Sequence, residues 1–131
     1  MDHGKILYQA VPAASDTLIY TVPERTATSY TVDASSVEVE PSAVVQHVQT
    51  MITQIILCDV VGGGDTIDVH LVSDSSTAAA PGNMVFNAVT VAGGTTERIK
   101  LNWLLDGGST IRVVPTTGAR VTVTLLGIEV K

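Results

Sequence analysis

Three histidines, thirteen carboxylates and one thiol are the groups in these 131 residues that could carry acid–base, metal or nucleophilic chemistry. Histidine is the commonest general base. His3 lies near the N-terminus, while His47 and His70 fall in stretches that read as strands. A zinc site needs three or four converging ligands, and no His-x-x-x-His spacing occurs. Serines are frequent, yet none sits in Gly-x-Ser-x-Gly. Gly107-Gly108-Ser109-Thr110 lacks the strand-to-helix setting of a nucleophile elbow and reads as a hairpin turn. Glu38 and Glu40 are two apart on an alternating stretch and share one face. That places them roughly 6–7 Å apart, within the range of a glycosidase pair. The chain offers only Trp103, Phe86, Tyr8, Tyr20 and Tyr30 to line a sugar cleft, so the pair reads as a solvated strand face. Gly62-Gly63-Gly64-Asp65 is neither a dinucleotide fingerprint nor a Walker loop. It resembles one calcium-binding β-helix repeat, but those sites need stacked repeats and this one stands alone. Asp65, Asp68 and Asp74 could share an ion only if folding brought them together. The sequence therefore predicts no catalytic residue, no metal and no cofactor.

Composition narrows the field further. Hydrophobic residues make up 45% and charged residues 15%, below the usual quarter. The apolar runs are short, as in Ile55-Ile56-Leu57-Cys58, and a spanning helix needs about 20 apolar residues. Net charge is −6, and Arg98 and Lys100 are the one close basic pair. Nucleic-acid binding depends on clustered cations, so neither nucleic acid nor membrane is expected as a partner. A chain this poor in charge fits a surface partly covered by another protein. Cys58 is the single cysteine, which excludes an intrachain disulfide, and it reads as a buried small hydrophobe. The first nine residues lack the apolar core of a signal peptide, so synthesis and retention in a reducing cytoplasm are expected.

The elements that must position these residues are strands. Val, Ile and Thr dominate, and Gly, Pro, Asp and Asn interrupt them at short intervals. Strands are expected at 6–11, 17–22, 29–32, 37–39, 66–72, 84–91, 96–101, 110–114 and 119–130, with a hairpin around residues 33–36. Residues 44–58 read as one long strand, with or without a bulge. Ile67, Val69 and Leu71 should share a face, as should Val121, Val123 and Leu125. The pattern predicts a single all-β domain over 1–131: an antiparallel β-sandwich, jelly-roll-like, of about 8–10 strands. No stretch alternates strand with amphipathic helix, which disfavours a parallel α/β sheet.

Certain stretches go beyond composition. Lys5-Ile6-Leu7-Tyr8-Gln9 leads into Leu18-Ile19-Tyr20-Thr21-Val22-Pro23. Ile55-Ile56-Leu57-Cys58-Asp59, Asp65-Thr66-Ile67-Asp68-Val69, Ala78-Ala79-Ala80-Pro81 and Arg98-Ile99-Lys100-Leu101 follow. The chain closes with Asp106-Gly107-Gly108-Ser109-Thr110-Ile111-Arg112-Val113 and Val121-Thr122-Val123-Thr124-Leu125-Leu126-Gly127-Ile128-Glu129. This resembles small virion structural proteins of tailed bacteriophages, in particular capsid decoration (cement) proteins. Those proteins run from Thr-Val-Pro-Ala-Gly almost directly into an Ile-rich strand, whereas here Glu24 to Gln49 intervenes. The segment at about 26–47 is therefore expected to be an inserted arm reaching a neighbouring subunit.

The resemblance implies a β-sandwich, a homotrimer, and attachment to the major capsid protein on the virion surface, where it stabilises the shell. Edge strands could add to a partner's sheet. The interface residues so implied are Ile6, Tyr8 and Gln9 in the first strand, and Val37, Glu38, Val39 and Glu40 in the arm. The alternative is a tail, fibre or baseplate component, with Trp103 and Tyr30 as exposed contacts if it binds receptor glycans. A depolymerase acting through Glu38 or Glu40 is the enzymatic alternative.

Overall fold

The computed structural model describes residues 4–32, 39–47, 49–74 and 76–130. Ten strands form in chain order. They are β1 (Lys5–Ala10), β2 (Thr17–Thr21), β3 (Glu24–Val32), β4 (Val39–His47) and β5 (Gln49–Asp59). The second half supplies β6 (Asp65–Val72), β7 (Met84–Val91), β8 (Thr96–Leu105), β9 (Thr110–Pro115) and β10 (Val121–Val130). A short 3₁₀ turn, Pro81–Asn83, precedes β7.

These strands make an antiparallel β-sandwich. One sheet runs β1-β10-β5-β8 and the other β2-β9-β6-β7, while β3 and β4 pair only with each other. With that hairpin set aside, the first sheet holds the first, eighth, third and sixth strands. The second holds the second, seventh, fourth and fifth, which is the winding of a jelly roll. The hairpin lies within the connection that carries the chain from the second sheet back to the first.

Period-two patterning decides which residues meet in the middle. Ile52, Ile55 and Leu57 of β5 and Val121, Val123 and Leu125 of β10 face inward from the first sheet. Ile67 and Val69 of β6, Val91 of β7, and Ile111 and Val113 of β9 meet them from the second. Most of these are fully buried, and each such side chain contributes roughly 1.5–3 kcal/mol through removal from water. Leu71 packs against the same core, as the alternation of Ile67, Val69 and Leu71 predicts.

The expected long strand over residues 44–58 spans residue 48, which lies outside the described residues; residues 44–47 belong to β4 and pair with β3, and residues 49–58 belong to β5 and pair with β10 and β8. No Gly or Pro marks the change, and apolar residues continue through it. The predicted hairpin is present but longer than expected, its register running from Glu24↔His47 to Val32↔Val39.

Candidate functional site

The two outer faces of the sandwich are built differently. On the second sheet the chain folds over its own strands. His70 on β6 and Arg112 on β9 are register neighbours. His70 Nδ1 lies 2.7 Å from Asn83 Oδ1 and 3.1 Å from the Ala80 carbonyl, so it donates into the loop that precedes β7. Arg112 Nη1 reaches Asp16 at 3.2 Å, and Asp16 in turn accepts from the Ala79 N–H. Burial alone would raise the Asp16 carboxyl, but the Ala79 N–H and the Arg112 guanidinium bring it below its ordinary value. His70 is thus a structural tie, only 3% exposed, rather than a base facing a cleft.

Among the described residues no comparable side-chain tie holds a loop over the first sheet. Its register places Ile128, Met51 and Leu104 in one outward row, and Ile6, Leu126, Gln54 and Lys100 in the next. A third row carries Gln9, Thr124, Ile56 and Arg98, and a fourth Thr122, Cys58 and Thr96. Antiparallel sheets ordinarily turn polar residues outward. Here the two central strands turn Ile128, Leu126, Met51, Ile56 and Cys58 outward beside Thr122, Thr124 and Gln54, and the border residues Ile6 and Leu104 are 58% and 54% exposed. Cys58 joins this face half-buried, which corrects the expectation of a buried thiol.

Of the interface residues expected from the sequence, the first-strand set divides. β1 is an edge strand paired only with β10, and its register slips between Ile6 and Tyr8. That irregularity lets Leu7 and Tyr8 both pack against the core. Gly127 makes it possible, because a Cβ there would collide with Leu7 Cδ1 and the Met51 carbonyl. Ile6 and Gln9 remain exposed, and Gln9 Nε2 donates to Thr124 Oγ1 at 3.0 Å. Tyr8 is half-buried, with part of its ring against the core. In the arm, Val39 and Glu40 lie on β4 opposite Val32 and Thr31. Val37 and Glu38 lie outside the described residues.

The candidate ion ligands do not converge. Asp65 opens β6 and accepts from the N–H groups of Thr66, Thr117 and Gly118 at 2.8–3.0 Å. Burial raises its carboxyl, but those three donors outweigh it and leave the group below its ordinary value. Asp68 accepts from the Ala88 N–H. Asp74, beyond the opposite end of β6, is saturated by Ser76 and Thr77, whose N–H and hydroxyl groups depress its carboxyl. Among the described residues no group of three metal-ligating side chains assembles.

Asp59, which sequence reasoning missed, has the same role as Asp65. It accepts from Gly94, Gly62 and Val61 at 2.6, 2.9 and 3.2 Å, and its carboxyl is held low, chiefly by the Gly94 N–H. A buried Asp beside a glycine turn was the available signal. Asp59 and Asp65 together tie three loops at one end of the sandwich. Between those loops lies a shallow depression of about 390 Å³, lined by Gly63, Thr66, Thr90, Thr116 and Arg120 among others.

Trp103 packs against the core and stacks on Phe86, with ring centroids 5.8 Å apart. It is not a free platform for a sugar. Tyr20, also unforeseen, sends its hydroxyl across to the other sheet, 3.0 Å from Thr50 Oγ1 and from Glu129 Oε1. Burial foremost, with the Glu129 carboxylate beside it, pushes the phenol up to about 12. No protein family, no curated protein and no solved structure matches the chain.

Proposed function

We propose that this protein is a decoration (cement) protein of a tailed-bacteriophage capsid, a structural rather than catalytic component. In this reading it binds the major capsid protein at the virion surface as a symmetric trimer and stiffens the shell. The observation that carries the proposal is the set of apolar residues on the outer face of the first sheet, Ile6, Met51, Ile56, Leu104, Leu126 and Ile128, with Ile6 and Leu104 more than half exposed. Large uncovered apolar patches on soluble proteins mark sites of protein contact. The phage-like opening and closing stretches name the class of partner, and closed symmetry is the usual outcome for repeated copies on a lattice.

The test is a particle-binding assay. Tagged protein is mixed with expanded capsids that lack it, at matched salt, then followed by sedimentation and cryo-electron microscopy. Symmetric added density over the capsid lattice is the expected outcome. Density confined to the tail would replace this reading with the tail-component alternative, and free protein alone would end both.

A further inference from the structure

We infer that the outer face of the first sheet seats on a protein surface that is apolar at its centre and lined with carboxylates along one border. The inference rests on the capsid reading and names the chemistry of the grip. Arg98 and Lys100 form the charged border of this face.

The charge pattern points to that partner. Lys5 is ion-paired with Glu129 at 3.1 Å and Arg112 with Asp16 at 3.2 Å. Arg120 donates to the Gly64 carbonyl. Among the residues whose side chains are described, Arg98 and Lys100 are the cations left without an acceptor. Both are exposed and both stand in the outward rows, opposite Ile56 and Gln54. Two residues apart on one strand, they sit roughly 6–7 Å from each other, a spacing that suits two separate carboxylates. Unpaired cations on the margin of an apolar patch set orientation and encounter rate more than affinity.

Size agrees. Four strands spaced about 4.8 Å and paired over some eight residues present a face of roughly 500 Å². Covering it removes about 1,000 Å² from the two partners together, the lower bound for a specific interface.

Capsids lacking the protein are titrated with wild type, with the double variant Arg98→Glu/Lys100→Glu, with Leu104→Asp, and with Asn87→Asp on the other sheet as control. Far-UV circular dichroism and sedimentation of each free protein are recorded alongside. The double variant is expected to bind at least tenfold more weakly at low salt and to lose the salt dependence shown by wild type. Leu104→Asp is expected to lose at least tenfold at all salt concentrations, and Asn87→Asp to bind as wild type. If Leu104→Asp misfolds, the double variant decides, since both its positions are exposed. Wild-type affinity in both face variants would overturn the inference while leaving the capsid reading intact. Failure of wild type to bind capsids would overturn the capsid reading, and the inference with it. A wild-type oligomer that the double variant splits would make a second copy the occupant, which also overturns it.

Discussion

At the scale of single residues, two buried groups do most to hold the sandwich's ends and its middle. Asp65 accepts from three backbone N–H groups, one on β6 itself and two on the loop between β9 and β10. Removing the carboxylate leaves those donors without a partner, which costs far more than the net value of a hydrogen bond. Asp65→Ala is expected to lower stability by about 3 kcal/mol, read as a reduced denaturant midpoint with unchanged slope. Tyr20 has the opposite titration behaviour. Its folded pKa, about 12, lies above the ordinary 10.0. A raised value means the neutral phenol is favoured in the folded state. Its contribution is complete below pH 10 and disappears as pH rises from about 10 to about 12. Alkaline unfolding should therefore begin later in Tyr20→Phe, even though that variant loses about 1 kcal/mol at neutral pH. Paired pH scans of circular dichroism and phenolate absorbance check both statements.

At the scale of elements, the hairpin β3–β4 is a separable piece. Glu24 and His47 are register partners, so the chain enters and leaves it at neighbouring points. Replacing residues 25–46 by a short Gly-Ser linker should leave the eight-stranded sandwich folded, with the dispersed amide spectrum of both four-stranded sheets preserved. Collapse of that spectrum would mean the hairpin belongs to the core. The strands themselves were legible, because Thr66 to Val72 and Val121 to Leu125 alternate plainly and turns of Gly, Pro and Asp delimit them. The change of pairing partner between His47 and Gln49 was not legible, since no local turn residue announces it. The placing of Tyr8 was not legible for a related reason. A strand without irregularity would place Leu7 inward and Tyr8 outward, but the register slip sends both to the core. The outward apolar rows could not be seen at all from single strands, because a face is the sum of four strands far apart in sequence.

At the scale of the whole molecule, the loops depend on carboxylates that must stay ionised. Asp16, Asp59, Asp65 and Asp74 all titrate below their ordinary value of 3.8. Depressed carboxylates contribute stability that is complete above the unfolded value and is lost as pH falls through the folded one. Stability is therefore expected to be nearly flat from neutral pH to about 5 and to fall steeply below about 4. Asp65→Asn should make that fall shallower, as followed by thermal unfolding across the acid range. The candidate surface belongs to this scale too. It is a property of four strands far apart in the chain, which residue types alone do not reveal.

The pairing of the first strand with the last has a consequence in time. β10 lies between β1 and β5, so the first sheet has no continuous middle until Val121–Val130 are available. Only β3 with β4 and β6 with β7 join strands that are adjacent in the chain. Every other pairing must close a long loop before it gains a contact, which makes such topologies slow, on the order of milliseconds to seconds. While the polypeptide is still being synthesised, β5 waits with one edge open and its apolar residues in water. An early stop before Val121 would leave that edge permanently unpaired, an invitation to aggregation rather than a smaller working protein.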